Sequence, residues 1–263
     1  MLNNQTFFST LDNIAPLSLS HKLIENGDYD NSGFLIKSHE GIEKALFTLD
    51  LTEKSVLVAK RLKCDTIVTH HPVIYNPISN LSVDGENSAV LLAIKNNFNV
   101  ISMHLNLDVC SGGIDASLAK ALGAKTYRIL DALDEKCGYG REFSLEGITF
   151  EEFIKRAKKN LKTSKVTVYG KRSSILNMGA SFCGAGSSIA EQVVIKGQTE
   201  ADVIVTSDMK HNVIVSLLER GKNILIVPHY ASENYGFRIF YNNVNEVLNG
   251  KVKTEFFEDK RFL

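Results

Sequence analysis

Apolar and polar positions change period several times along this chain, and the changes mark its elements. Residues 6–25 carry apolar side chains at roughly helical spacing until Pro16, whose ring removes a backbone donor. The pattern predicts one helix ending there and a second over SLSHKLIEN. NGDYDNSGFLI is turn-rich and leads into a strand. From Gly41 the reading is regular: KALFTLDL as a strand, TEKSVLVAKRLK as a helix capped by Thr52, DTIVTHH as a second strand. A helix over 86–97, a strand in NVISMHLNLD and a helix over GIDASLAKALGA continue a βαβ-like alternation that closes near residue 125. Between Ala132 and Ser174 the character changes to FSLEGI, a helix over TFEEFIKRAKKNLK and a short strand KVTVYG, after which the first pattern returns.

The return is a repeat. CDTIVTHH (64–71) and ADVIVTSD (201–208) share one frame, and each follows an earlier strand, LFTLDL or NMGASFCG. Further on, NVISMHLNLD (99–108) parallels NILIVPHYASE (223–233), each ending in a histidine followed four residues later by a carboxylate. Two matches in the same order predict two copies of one supersecondary unit, and such copies commonly pack about a pseudo-twofold axis. The expected fold class is α/β (α+β): two similar lobes from an internal duplication, residues 1–125 carrying HHP and HLNLD, and 126–263 carrying SDMKH and HYASE.

Composition narrows the function. Among 263 residues, 30 basic and 30 acidic side chains cancel, so no global field attracts nucleic acid or an anionic membrane, and neither is expected as a partner. No segment approaches about 18 consecutive apolar residues and the start lacks a basic region followed by an apolar one, so a cytoplasmic protein is expected. Cys64, Cys110, Cys137 and Cys183 show no CxxC spacing and read as buried reduced thiols rather than a zinc ribbon or a disulfide framework.

The chemistry concentrates where strands end. Ligand sites of α/β sheets lie beyond the carboxyl ends of strands, where His70, His71, His104, Asp108, Asp208, His211, His229 and Glu233 fall. Five of the seven histidines lie in these segments, far from a uniform scatter. Imidazoles with carboxylates suit Zn, Fe, Mn, Co or Ni, whereas calcium or magnesium favours oxygen alone. Burying such groups together with no counter-ion would cost several kcal/mol, which a shared metal removes. Adjacent histidines on an extended strand point to opposite faces, so His70 and His71 reach one ion only if the chain turns, as Pro72 suggests, or they serve two ions. Two metals about 3.5–4 Å apart would suit that arrangement. His229 and Glu233 can also be read as a helical surface pair. Lys210 and His211, after Asp208, could meet an anionic substrate or move protons, or simply begin an exposed helix. GAGSS (184–188) reads as a tight turn twice as readily as a phosphate cradle, lacking a Walker lysine and the GxGxxG spacing. The basic face of TFEEFIKRAKKNLK reads as a solvated surface.

VTHHPV at 68–73, HLNLD at 104–108, the GAGSS turn, ADVIVTSDMKH at 201–211 and PHYASE at 228–233 together resemble the GTP cyclohydrolase 1 type 2 homologue family, also called the Ngg-interacting-factor family. The resemblance spans most of the chain. Tyr29 stands where the family usually has Trp, Leu105 where it has Thr, and Ser207 and Asn212 replace a glycine and a second histidine. It implies two intertwined lobes with a dinuclear metal site between them, a hexameric ring of subunits, and metal ligation by His70, His71, Asp108, His229 and Glu233, with Glu233 bridging and His104 behind the ligands. The function expected is a metal-dependent hydrolase of a nucleotide-like or heterocyclic small molecule, using two divalent ions per subunit, with His104, Asp208 or His211 shuttling protons and Lys210 binding substrate. A metal-binding carrier without its own turnover is the alternative.

Overall fold

Pro16 does break the first helical stretch. In the computed structural model, which describes residues 1–263, α1 (Asn4–Ile14) starts at Asn3, whose side chain accepts the Thr6 N–H, and α2 (Leu17–Glu25) starts directly after the proline. β1 (Gly33–Ile36) and β2 (Lys44–Thr48) follow. α3 (Glu53–Arg61) begins where Thr52 predicted it, because Thr52 and Ser55 cap each other's backbone reciprocally. β3 (Thr66–Thr69), α4 (Ser88–Lys95) and β4 (Asn99–Ser102) complete the first alternation, followed by the short α5 (Leu105–Val109) and by α6 (Ile114–Leu122). β5 (Arg128–Ala132) pairs antiparallel with the long β6 (Gly138–Thr149), which runs straight into α7 (Phe150–Asn160) through a Thr149–Glu152 capping box. Then come β7 (Thr167–Tyr169), β8 (Ile175–Ser181), α8 (Ser187–Ile195), β9 (Val203–Thr206), α9 (His211–Glu219), β10 (Asn223–Ile226), the 20-residue α10 (His229–Leu248), β11 (Lys253–Phe256) and a 3-10 turn at Lys260–Phe262. No helix is long and apolar enough to cross a membrane.

The chain divides into two compact units, Met1–Cys110 with Phe237–Asp259, and Ser111–Gly236 with Lys260–Leu263. The change of character near residue 125 thus falls inside the second unit, after α6. In the first unit the sheet order is β1-β4-β3-β2-β11, with β1 antiparallel at one edge and the rest parallel. Its core sets Leu46, Ile67 and Val100 of the sheet against Val56 and Ala59 of α3 and Val90 and Ala93 of α4. In the second unit the order is β7-β10-β9-β8-β6-β5, and Ala180, Ile204 and Ile224 pack against Ala190 and Val193 of α8 and Val213 and Leu217 of α9. Every residue of β3 and of β9 is buried, which is why both central strands read as unbroken apolar runs.

The mixed α/β fold and the duplication are both present. Each sheet starts from an antiparallel edge strand and continues with three parallel strands in reverse chain order, β4-β3-β2 in one and β10-β9-β8 in the other. Matching side chains do matching work. Asp65 accepts the N–H groups of Glu43 and Lys44 at 2.8 and 2.9 Å, where β2 begins, and Asp202 those of Asn177 and Met178 at 2.7 and 3.0 Å, just before the stretch of β8 that pairs with β9, so each aspartate pins the neighbouring strand where the parallel pairing starts. Asn99 accepts the Ser38 N–H at 2.9 Å and Asn223 the Lys171 N–H at 3.2 Å, each tying down the chain just past the edge strand.

Candidate metal centre

In the first unit the histidines lie beyond the strand, not on it. β3 ends at Thr69, and the N–H groups of His70 and His71 both donate to the Leu49 carbonyl at 3.1 Å. Thr69 Oγ1 donates to the His71 carbonyl at 2.9 Å, and Pro72 follows, buried. This is the sharp turn that Pro72 suggested: it sets the two rings 4.8 Å apart instead of on opposite faces. His104 follows β4 and lies 5.2 Å from the ring of His70 and 5.7 Å from that of His71. The three side chains present ligand atoms within 4.8 Å of one another.

Each of these rings is held by one nitrogen. His70 Nδ1 donates to the Met103 carbonyl at 2.8 Å, His71 Nδ1 to Asp50 at 2.7 Å and His104 Nδ1 to Asp30 at 2.7 Å. A carbonyl or carboxylate can only accept, so these partners put the proton on Nδ1 and leave Nε2 as the lone-pair atom of the neutral ring. His70 Nε2 stands 3.5 Å from a carboxylate oxygen of Asp108, itself buried on α5, two acceptors whose approach is satisfied by a proton or a shared cation. Asp30 is buried and also accepts from Ser20 and, at 2.7 Å, from Ser32. Burial alone would raise its pKa, but the hydrogen bonds from His104, Ser20 and Ser32 outweigh it and hold the carboxyl at about 2.

In the second unit α10 starts at His229, which places Glu233 one turn on. His229 Nε2 meets Glu233 at 3.0 Å, and its Nδ1 meets the carboxylate of Asp208. Glu233 is only 3% exposed, so this is no surface pair. Gly184, the first residue of the GAGSS turn, explains why that carboxylate fits: at φ +53° it occupies the left-handed region, and a Cβ there would lie 2.3 Å from Glu233 Oε1. The turn is tied down on both sides. Cys183 N–H donates to Asp115, itself paired with the fully buried Arg141 at 2.9 Å, and Gly184 N–H donates to Ser232 Oγ at 3.2 Å. Asp208 is a non-glycine residue at φ +38°, a strained conformation of the kind that persists where surrounding structure dictates it. A cavity of about 370 Å³ opens beside it, lined by Lys165, Thr167, Asp208, Pro228 and His229 among others.

The sequence model of the Duf34/NIF3 (NGG1p interacting factor 3) family matches residues 2–261. The chain belongs to this family. Among curated members, a GTP cyclohydrolase 1 type 2 homolog of Clostridium perfringens is 29% identical over 228 residues, covering 85% of this chain and 84% of that protein. The NGG1-interacting factor 3 of Saccharomyces cerevisiae is 25% identical over 254 residues, covering 86% and 84%. The crystal structure of a Bacillus cereus protein related to NIF3 superposes with a TM-score of 0.87 at 19% identity, covering 98% of this chain and 97% of that one, a likeness of fold.

The Duf34/NIF3 chain therefore carries side-chain groups able to bind a metal ion. Of the residues singled out in its sequence, His70, His71, His104 and Asp108 gather in the first unit, and Asp208, His229 and Glu233 in the second. Lys210 and His211 are exposed at the start of α9, where Lys210 N–H donates to Ser187 Oγ at 3.3 Å, in keeping with an exposed helix start. Cys64, Cys110 and Cys183 are buried as expected, whereas Cys137 is half-buried. Asp30, Asp50 and Lys165 were not anticipated. Asp50 lies in the LFTLDL segment two residues beyond the end of β2, so the strand-end rule applied to that strand would have found it. Asp30 reaches His104 across 74 residues and Lys165 precedes an edge strand; neither carries a local signal.

Proposed function

We infer that this protein binds two divalent metal ions and hydrolyses a nucleotide-like or heterocyclic small molecule with their help. The ligands are His70, His71 and Asp108 from the first unit and His229 and Glu233 from the second. The reading is carried by the pinned rings of His70, His71 and His104, each held at Nδ1 by an oxygen acceptor, the arrangement that orients metal-binding imidazoles. The donor set, imidazole with carboxylate, suits Zn, Fe, Mn, Co or Ni. When bound, such an ion supplies Lewis acidity, polarising a carbonyl or phosphoryl oxygen and making water acidic near neutral pH. The chain's own groups do the rest. His104, backed by Asp30, takes up or returns a proton; Asp208 orients His229; Lys210 offers positive charge to an anionic substrate, with His211 beside it as a second proton carrier. The subunits assemble as a hexameric ring in the cytoplasm.

The test is anaerobic purification, metal analysis, and a screen of nucleotides and phosphoesters against the wild type and His71→Ala. Turnover that tracks metal content and is lost in His71→Ala supports the hydrolase. No turnover on any substrate, together with rapid transfer of the metal to an apo-acceptor, overturns it in favour of a carrier. Light scattering that returns a monomer mass removes the ring.

A further inference from the structure

Between the metal-binding histidines and α4, the chain builds a pocket that the proposed chemistry does not use. It has a volume of about 470 Å³, within the range of small-molecule sites, and its lining includes Tyr75, Pro77, Ile78, Asn80, Glu86 and Asn87. Tyr75 is also the end of an aromatic row. Its ring stands edge-on to His104 at 6.3 Å and to Tyr29 at 4.8 Å. The two tyrosines are locked together: Tyr29 Oη donates to the Tyr75 carbonyl, and Tyr75 Oη donates to the Tyr29 carbonyl at 3.2 Å. The two residues nevertheless remain 48% and 43% exposed, so the pair presents rigid aromatic surface to solvent at little entropic cost.

The rest of the lining selects the ligand. Neither lysine nor arginine lines the pocket, and its one ionisable carboxylate, Glu86, repels anions, so a phosphate group has no partner there. Asparagine amides each offer a donor beside an acceptor, the complement of a heterocycle's edge, and a carboxylate accepts from ring N–H and amino groups. Tyrosine faces stack on such rings whatever their identity. We propose that the Tyr29–Tyr75 pair and the pocket behind Tyr75 form a subsite for the uncharged planar heterocycle of a nucleoside-type small molecule, holding the base beside His104 while any phosphate stays outside. This deepens the hydrolase reading and rests on it for the identity of the site as a substrate site.

Binding to metal-stripped protein separates the two claims. With the full chain in EDTA, equilibrium dialysis against guanosine, adenosine, ribose 5-phosphate and inorganic phosphate is expected to show saturable binding of the nucleosides alone. Tyr75→Ala should weaken that binding roughly tenfold or more, Tyr75→Phe should retain it within about twofold, and Asn87→Ala should weaken it severalfold. Because the chain has no tryptophan, Tyr29→Trp supplies a single indole whose emission should be quenched by nucleoside and not by ribose 5-phosphate. Metal uptake by Tyr75→Ala should be unchanged, so a failure of metal binding in the wild type leaves this result standing. Equal binding of ribose 5-phosphate and nucleoside, or nucleoside binding untouched in folded Tyr75→Ala and Asn87→Ala, overturns the proposal. So does an oligonucleotide that binds where free nucleosides do not.

Discussion

Replacing Asp30 with Asn isolates one charge that supports His104. The carboxyl lies at about 2 in the folded chain against an ordinary 3.8, so its ionised form stabilises the fold by about 2 kcal/mol at neutral pH. The sign follows from the depressed pKa: the contribution is complete above pH 3.8 and is lost as pH falls towards 2. Asn keeps the shape and one acceptor oxygen, so His104 Nδ1 and the hydroxyls of Ser20 and Ser32 compete for what two oxygens now share. Urea unfolding of wild type and Asp30→Asn, followed by circular dichroism at pH 7, 5, 4 and 3, should show a gap of about 2 kcal/mol at pH 7 that narrows steadily below pH 4. In a thermal scan at pH 7 the same gap corresponds to about 4–8 °C. A gap that is the same at pH 7 and pH 3 would mean that packing, not charge, is lost, and would refute the reasoning; so would no gap at pH 7.

Three further outcomes are expected. Asp50→Ala frees the His71 ring from its 2.7 Å anchor and should cost ten- to a hundredfold in metal affinity, measured by chelator competition, with little change in Tm. Gly184→Ala must bear a side chain at φ +53° and push Glu233 aside, so it should lose about 1–2 kcal/mol of stability and part of its metal uptake; wild-type values for both would contradict the close approach. Asp65→Ala and Asp202→Ala each deprive two strand N–H groups of one carboxylate, and each should lose about 1–2 kcal/mol in urea unfolding, the two by similar amounts, whereas a marked inequality would argue against equivalent roles.

The skeleton was legible because its signals are local. Thr52 followed by Ser55, or Thr149 followed by Glu152, announces a helix within four residues, and buried parallel strands such as TIVT and VIVT spell themselves out as apolar runs. What stayed hidden is non-local or decided by competition. DTIVTHH reads as strand to its end, yet the two histidine N–H groups converge on the Leu49 carbonyl and leave the ladder. HLNLD reads as a strand exit, yet it turns into α5, and that places Asp108 beside His70. The stretch after PHYASE predicts no element, although it holds most of α10, because its mixed polarity shows no strong period.

The duplication shows how one scaffold supports two different ends. Asp65 and Asp202, Asn99 and Asn223, and the carbonyls of Thr69 and Thr206, which accept from Met103 and Val227 at 2.9 and 3.0 Å, repeat the same bonds in the same places. These residues fix where neighbouring strands start to pair and how they align, so altering either partner would cost both a bond and the register of a buried strand. Beyond the last repeated bond the constraint ends and the copies differ. The first leaves β3 through two pinned imidazoles, while the second leaves β9 through Ser207 and the strained Asp208, whose carboxylate holds His229 instead of being held. Imidazoles backed by oxygen in one unit, and an imidazole set between two carboxylates in the other, are different donor sets on one frame.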